Sequence, residues 1–90
     1  GSETYFFFEG SKKLAGIIQE RLVNDLGMED RGIRNRGFYV IKTVTTMPAV
    51  LLEPTFLSNP DEEKCLNEES FREKLAITIG KAIKDFFERR

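Results

Sequence analysis

The fold is decided by the run Thr4-Tyr5-Phe6-Phe7-Phe8, which is closed by Glu9-Gly10. An apolar and aromatic run of this length is typical of a strand that is covered on both faces, and such a strand has neighbouring strands on both sides. The residues that follow have helical spacing, with apolar side chains at Leu14, Ile18, Leu22 and Leu26. Because Ser11 can cap this helix and Gly27 can end it in a left-handed conformation, the sequence predicts a central strand followed by a helix over residues 11–26.

Two further strands are expected after this helix. Residues 29–37 are charged and interrupted by glycine, so they predict a surface connection. Residues 38–44 are β-branched and aromatic and predict a second strand. A third strand, short and buried, is predicted by Ala49-Val50-Leu51-Leu52, which ends at Glu53-Pro54. The connection between these two strands is too short for a parallel crossover, so they are either antiparallel or not adjacent.

Two helices complete the chain. Asn59 and Pro60 predict the start of a short helix that extends to Leu66, because Asn caps helices and Pro suits the first helical position. The last helix begins with the capping-box pattern Ser70-Phe71-Arg72-Glu73 and carries one apolar stripe, made of Phe71, Leu75, Ile79, Ile83 and Phe86. We expect this stripe to pack on the sheet, with a partner-binding helix face as the alternative. The prediction is an α/β fold with about three strands, two long helices and one short helix.

Length and composition exclude several classes of protein. Ninety residues make one domain at most. The formal charge of −1 provides no cationic field for nucleic acids or anionic membranes, and no apolar run approaches the roughly 20 residues that cross a bilayer. With no histidine and one cysteine, the chain cannot form a Ser-His-Asp or Cys-His catalytic set, a His-ligated metal site or an intrachain disulfide. Chemistry is left to carboxylates, hydroxyls and lysines.

Glu53 is the first candidate for that chemistry. It is a carboxylate at the C-terminal end of an otherwise apolar strand, and open α/β sheets place their sites beyond such strand ends. Burial there would suit it to exchange protons as a general acid or base. The alternative is that strand ends reach solvent and many of them carry a charge without any catalytic role.

Other reactive or charged residues have simpler explanations. Arg31, Arg34 and Arg36 could bind a phosphate or carboxylate, but the acidic residues beside them favour a solvated, self-compensated loop. Cys65 lies next to Leu66 in a helical segment, and no histidine is present to activate it, so we expect a packed or inert thiol.

The sequence also resembles a known family. Met47-Pro48-Ala49-Val50-Leu51-Leu52-Glu53, followed by Phe56-Leu57-Ser58-Asn59, is similar to the C-terminal signature of zinc-dependent N-acetylmuramoyl-L-alanine amidases. These cell-wall hydrolases cut the bond between N-acetylmuramic acid and the L-alanine of the stem peptide. Further segments fall in the order that the family shows: Glu3-Thr4-Tyr5-Phe6, the helix over 11–22, Asp30-Arg31-Gly32-Ile33-Arg34 and the terminal helix over 74–87. The resemblance implies the three-layer sheet-and-helix fold of these amidases, here with an incomplete sheet.

The resemblance implies a role for Glu53. In the family, two histidines and a glutamate that precede the present segment hold the zinc, and a second glutamate after the Pro-Ala-Val-Leu strand acts on zinc-activated water. Glu53 matches this second glutamate, so it is expected to be the general acid/base. Zinc is the expected cofactor of the complete enzyme, with no metal ligand in this chain. The substrate-binding residues are unknown.

Two features depart from the family pattern. Pro54-Thr55 stands where the family has a small or apolar residue and then glycine, so the backbone beyond Glu53 is expected to differ. The opening residues resemble those that follow the last zinc ligand. We therefore expect residues 1–90 to be a single, partial amidase catalytic domain that lacks the N-terminal zinc-ligand segment, and to be inactive and free of zinc when alone.

The resemblance also implies partners and location. It implies peptidoglycan as the substrate, an autolysin type of activity, and a bacterial cell envelope or extracellular location, although no targeting signal is visible. No nucleic-acid partner and no membrane span are expected. The alternative to an enzyme is a non-catalytic, amidase-like module that binds muropeptide or protein, or that self-associates through an exposed sheet edge or apolar patch.

Overall fold

The computed structural model describes residues 1–53 and 60–89, apart from the side chains of residues 60, 62 and 63. The described part of the chain has three strands: β1 (Ser2–Phe6), β2 (Asp30–Asn35) and β3 (Leu51–Glu53). Its helices are α1 (Lys12–Leu26), α2 (Tyr39–Lys42), α3 (Pro60–Leu66) and α4 (Glu69–Glu88), with one 3-10 turn at Glu9–Ser11. The predicted mixed α/β class, with a three-stranded sheet and two long helices, is confirmed.

β1 is the central strand of the sheet, which has the order β2-β1-β3. β2 runs parallel to β1, with Ile33 opposite Thr4, and β3 runs antiparallel, with Leu52 opposite Thr4. The parallel partner is reached through α1, which provides the long crossover that a parallel pair needs. The central position of the first strand is therefore confirmed, but the predicted run through Phe8 is too long, because β1 ends at Phe6 and Phe7 and Phe8 are exposed.

The surface connection expected over residues 29–37 is wrong, because this segment forms β2. β2 is an edge strand whose residues are exposed or half-buried, so it needs no apolar alternation. It contains an irregularity at Gly32, which has a φ of +86° and donates its N–H to Asp30 Oδ1 at 2.8 Å. Backbone pairing with β1 stabilises the strand. Its charged residues and glycine are depleted in strands, so the sequence did not predict it.

The strand expected over residues 38–44 is also wrong, because this segment turns into α2. Its residues find no partner strand in the described structure, and the helical turn buries Ile41 while it leaves Tyr39 79% exposed. The β-branched composition is thus overridden by tertiary context. The third strand is shorter than predicted, half-buried, and paired with β1.

The core lies between the helices and one face of the sheet. Ile17, Ile18 and Leu22 of α1 pack with Ala82 and Phe86 of α4. Val50, Leu52 and Leu75 are partly buried against the same cluster, so both long helices lie on the face of the sheet that bears Leu52. The predicted stripe of α4 is correct in part: Phe86 is buried, but Ile83 is 41% exposed and Thr78 and Ala82 are buried instead.

The helix ends follow the predictions in part. Gly27 ends α1 with a φ of +66°, as expected from its lack of a Cβ. Ser11 precedes α1 but makes no capping bond within the described residues, because its Oγ accepts the N–H of Ala49 at 2.9 Å. The capping box at Ser70 is wrong, because α4 already begins at Glu69. α3 begins at Pro60 as predicted, and the cap predicted at Asn59 lies outside the described residues.

A buried polar network ties α1 to the sheet. Gln19 is 4% exposed, and its Nε2 donates to the carbonyl of Ser2 at 2.7 Å and to Asp30 Oδ1 at 2.9 Å. Its Oε1 accepts the hydroxyl hydrogen of Thr4 at 3.1 Å. One side chain of α1 thus fixes the position of both β1 and β2.

In the described residues, none of the helices combines the length and apolarity that crossing a membrane requires.

Candidate active site

The candidate site lies on the face of the sheet away from the two long helices. Thr4 contacts Gln19 of α1, and side chains alternate along a strand, so Glu3 and Tyr5 lie on the opposite face. The register places Glu53 of β3 opposite Glu3, and Arg34 of β2 opposite Tyr5. These four side chains therefore share one face, which we call the Glu53 face. The three strands bring together residues that are up to 50 positions apart in the sequence, as Glu3 and Glu53 are.

Glu3 is the most buried ionisable group of this face, with 6% of its surface exposed. Arg34 Nε donates to Glu3 Oε1 at 2.5 Å, and the hydroxyl of Tyr5 donates to Oε2. The hydrogen bond from Tyr5 lowers the pKa of Glu3, and the bond and charge of Arg34 lower it further against the opposing effect of burial. Glu3 is therefore an ionised carboxylate with both oxygens occupied.

Tyr5 stands between two carboxylates. Its hydroxyl is bonded to Glu3 and lies 3.4 Å from Glu53 Oε2. The bond to Glu3, together with burial and the negative charges of Glu3 and Glu53, raises the pKa of Tyr5 to about 12. The phenol is consequently neutral at physiological pH. Its ring packs edge to face against Phe38, with centroids 5.1 Å apart.

Glu53 is the last residue of β3 and is half-buried. In the part of the chain that the structure describes, the hydrogen-bond partner of its carboxylate is the Tyr5 hydroxyl, which contacts Oε2. Its other oxygen, Oε1, is thus left for a group outside the described residues. A carboxylate with one oxygen held and one open has the geometry to accept and return a proton. The structure places Glu53 at a strand end, as predicted, and its catalytic role stays a prediction.

The other candidates are placed differently. Arg31 and Arg34 lie on β2, and Arg36 directly follows the strand. Arg34 is paired with Glu3 across the sheet instead of with its sequence neighbours. Cys65 is a half-buried free thiol in α3. Sequence reasoning missed Glu3 and Tyr5 as site residues. The available signal was their period-two spacing, which puts both on one face of a central strand.

The described residues do not fit a zinc centre. A catalytic zinc site uses three protein ligands and an open position. Over residues 1–53 and the described side chains of 60–89, no group of three His, Cys, Asp or Glu side chains converges. Glu3 has both oxygens engaged, and the chain contains no histidine. No step of the chemistry is therefore assigned to a metal held by these residues.

Comparisons with known proteins identify relatives in both sequence and structure. The profile of the N-acetylmuramoyl-L-alanine amidase family matches residues 1–85. In Bacillus subtilis (strain 168), the uncharacterized protein YqiI is 39% identical over 98% of this chain and 44% of its own length. From the same organism, N-acetylmuramoyl-L-alanine amidase LytC is 40% identical over 88% of this chain and 16% of its own length.

Solved structures of amidases share the fold. The catalytic domain of CwlV, an N-acetylmuramoyl-L-alanine amidase from Bacillus (Paenibacillus) polymyxa var. colistinus, is 40% identical and superposes with a TM-score of 0.88. That match covers 100% of this chain and 50% of the other. An N-acetylmuramoyl-L-alanine amidase from Clostridium difficile 630 is 33% identical, with a TM-score of 0.91 over 98% of this chain and 48% of its own.

The chain thus spans half or less of the length of these relatives. The central strand, α1 and the strand that ends at Glu53 fall inside the matched residues, and so does α4 up to residue 85. Since the profile matches residues 1–85, nearly the whole sequence, this chain belongs to the N-acetylmuramoyl-L-alanine amidase family.

Proposed function

We propose that residues 1–90 are the part of an amidase catalytic domain that supplies its general acid/base, Glu53. The complete domain hydrolyses the amide bond between N-acetylmuramic acid and L-alanine in peptidoglycan. The observation that carries this proposal is the half-buried carboxylate of Glu53, which contacts the Tyr5 hydroxyl at Oε2 and has no bond at Oε1 to any residue that the structure describes. Family membership supplies the reaction class.

The proposed chemistry of Glu53 is a proton transfer. In amide hydrolysis, the oxygen of water forms a bond to the carbonyl carbon, and the bond from that carbon to nitrogen breaks. The carboxylate of Glu53 takes a proton from the attacking water and returns it to the leaving nitrogen, which departs as an amine. A positioned acid/base of this kind typically contributes about 10²–10⁴-fold in rate.

In the complete domain, zinc would be bound by residues outside this chain. The family is zinc-dependent, and the described residues provide no three-ligand centre. We propose that residues preceding the matched segment hold the metal in the complete domain, and that residues 1–90 alone neither bind zinc in stoichiometric amount nor hydrolyse peptidoglycan. The span of half or less of each relative supports this division of the domain.

The relatives suggest where the complete protein acts. One of them, from Staphylococcus saprophyticus, is described as a probable cell wall amidase. We propose that the present protein likewise acts as an autolysin-type enzyme on the peptidoglycan of a bacterial cell envelope or on extracellular wall material.

The test uses a domain that is extended upstream until it hydrolyses purified cell walls. Glu53→Gln in that domain is expected to lower turnover about 10²–10⁴-fold and to leave the zinc content unchanged. The matched control is Glu20→Gln, an exposed glutamate on α1, which is expected to keep full activity. Full activity of the Glu53→Gln domain would remove the assigned role. Zinc or lytic activity in the ninety-residue chain would contradict the division of the domain.

A second candidate is a non-catalytic, amidase-like module that binds muropeptide or protein or that self-associates. The observation that favours it is the apolar surface of α4, where Ile77 is 59% exposed and Phe87 is 61% exposed. Association would remove this surface from water. A mass that rises with concentration in sedimentation would support this candidate, and a constant monomer mass would oppose self-association.

A further inference from the structure

We propose that Tyr5 is a positioning residue, and that its hydroxyl, fixed by Glu3 and Arg34, holds Oε2 of Glu53 so that Oε1 faces the substrate. The proposal rests on the proposed function of Glu53. The juxtaposition of Tyr5 Oη and Glu53 Oε2 at 3.4 Å is its starting observation.

The register of the sheet places two carboxylates next to each other, so a further contact is needed to orient Glu53. Glu3 and Glu53 are direct partners across β1 and β3. Like charges at opposed positions repel each other and destabilise the pair. A glutamate at a strand end has three rotatable side-chain bonds, so without a contact it would turn away from Glu3 and lose a defined direction. The hydroxyl of Tyr5 contacts both carboxylates and removes this freedom.

Three residues restrict the position of the Tyr5 side chain. Glu3 accepts its hydrogen, and Arg34 fixes Glu3 through the 2.5 Å bond to Oε1. Phe38 packs against the Tyr5 ring. The phenol has a single hydrogen, which both carboxylates accept, Glu3 at the shorter distance and Glu53 Oε2 at 3.4 Å. When Glu53 is protonated, the direction of the second bond can reverse, and the Glu53 O–H can donate to the phenol oxygen.

The charges around the phenol come from each strand of the sheet. Glu3 of β1 and Glu53 of β3 act on the phenol directly. Arg34 and Arg31 of β2 act on Glu3. Phe38, the residue before α2, contacts the phenol with an uncharged ring. The two carboxylates both raise the pKa of Tyr5, which is the measurable sign that Glu53 and Tyr5 interact.

The first experiment measures this interaction without any activity. The chain has two tyrosines, so Tyr39→Phe leaves Tyr5 as the single phenol in a near-ultraviolet absorbance titration. Its midpoint is expected at about 12. Adding Glu53→Gln is expected to lower that midpoint because a negative charge is removed, and adding Glu20→Gln is expected to leave it unchanged. Equal midpoints for the two variants would overturn the proposal.

The second experiment is kinetic and decides the matter if circular dichroism shows that the chain unfolds before Tyr5 ionises. In the extended, cell-wall-hydrolysing domain, Tyr5→Phe is expected to lower kcat about tenfold to a hundredfold with KM and zinc content unchanged. Tyr39→Phe is expected to leave kcat and KM unchanged. Tyr5→Phe added to Glu53→Gln is expected to cause no further loss, because both changes act through Glu53.

The outcomes separate this proposal from the proposed function. If Glu53→Gln is inactive and Tyr5→Phe is fully active, the acid/base role of Glu53 is supported and the positioning role of Tyr5 is contradicted. If Glu53→Gln is fully active, the proposed function fails first. A Tyr5→Phe domain that loses activity through a higher KM alone would also overturn the positioning role.

Discussion

Glu3 and Glu53 lie directly opposite each other on adjacent antiparallel strands, and one hydroxyl, that of Tyr5, contacts both carboxylates. Opposed like charges normally destabilise a strand pair. Here Arg34 neutralises Glu3, and the neutral phenol stands between the two groups. The same pair therefore serves two purposes: it contributes to sheet stability through Glu3 and to the proposed chemistry through Glu53.

The ionisation of Glu3 makes stability depend on acid pH. The pKa of Glu3 is lowered from 4.5 in the folded chain, first by Tyr5 and then by Arg34. Its contribution is thus fully present above pH 4.5, the unfolded-state value, and is lost as pH falls through the lower folded-state value. Urea unfolding at a series of acid pH values is expected to show a shallower loss of stability for Glu3→Gln than for the parent chain. An unchanged slope would contradict this assignment, and Glu20→Gln is the control.

The free energy of unfolding is expected to depend more on Gln19 than on its neighbour Glu20. Gln19→Ala removes the bonds that the buried Ser2 and Thr4 make to this side chain, together with one of the bonds to the exposed Asp30. The expected loss in the free energy of unfolding is about 1–3 kcal/mol. Glu20→Ala, on the exposed side of the same helix, is expected to change it by less than about 0.5 kcal/mol. Denaturant unfolding measures both, and equal losses would contradict the structural role of the network.

Two glycines provide a matched pair of alanine substitutions. Gly27 has a φ of +66°, so Gly27→Ala is expected to cost about 1–2 kcal/mol of stability through backbone strain. Gly80 lies within α4, with open space where a Cβ would be, so Gly80→Ala is expected to gain up to about 1 kcal/mol. Thermal or urea unfolding compares the two. A Gly27→Ala chain as stable as the parent would contradict the left-handed end of α1.

The sequence alone was sufficient where a local pattern is physically required. The every-fourth-residue spacing of α1 and part of the stripe of α4 reflect burial of one side of a helix, so they can be recognised without the fold. The apolar run located the first strand, although β1 ends at Phe6 and leaves Phe7 and Phe8 exposed. Glu53 was also identified from its position at a strand end and from the resemblance to the amidases. Its role there is still a prediction, which the Glu53→Gln domain tests.

Only the tertiary structure decided β2, α2 and the partners of Glu53. β2 is held by backbone bonds to β1, and such bonds leave no apolar signature on an exposed edge. The composition of residues 38–44 favours a strand, but this segment forms a helical turn and pairs with no strand of the described sheet. The Glu53 face joins Arg34 to Glu3 across 31 positions and Tyr5 to Glu53 across 48. Local periodicity carries no information about such distances, because strand pairing and register alone set which side chains meet.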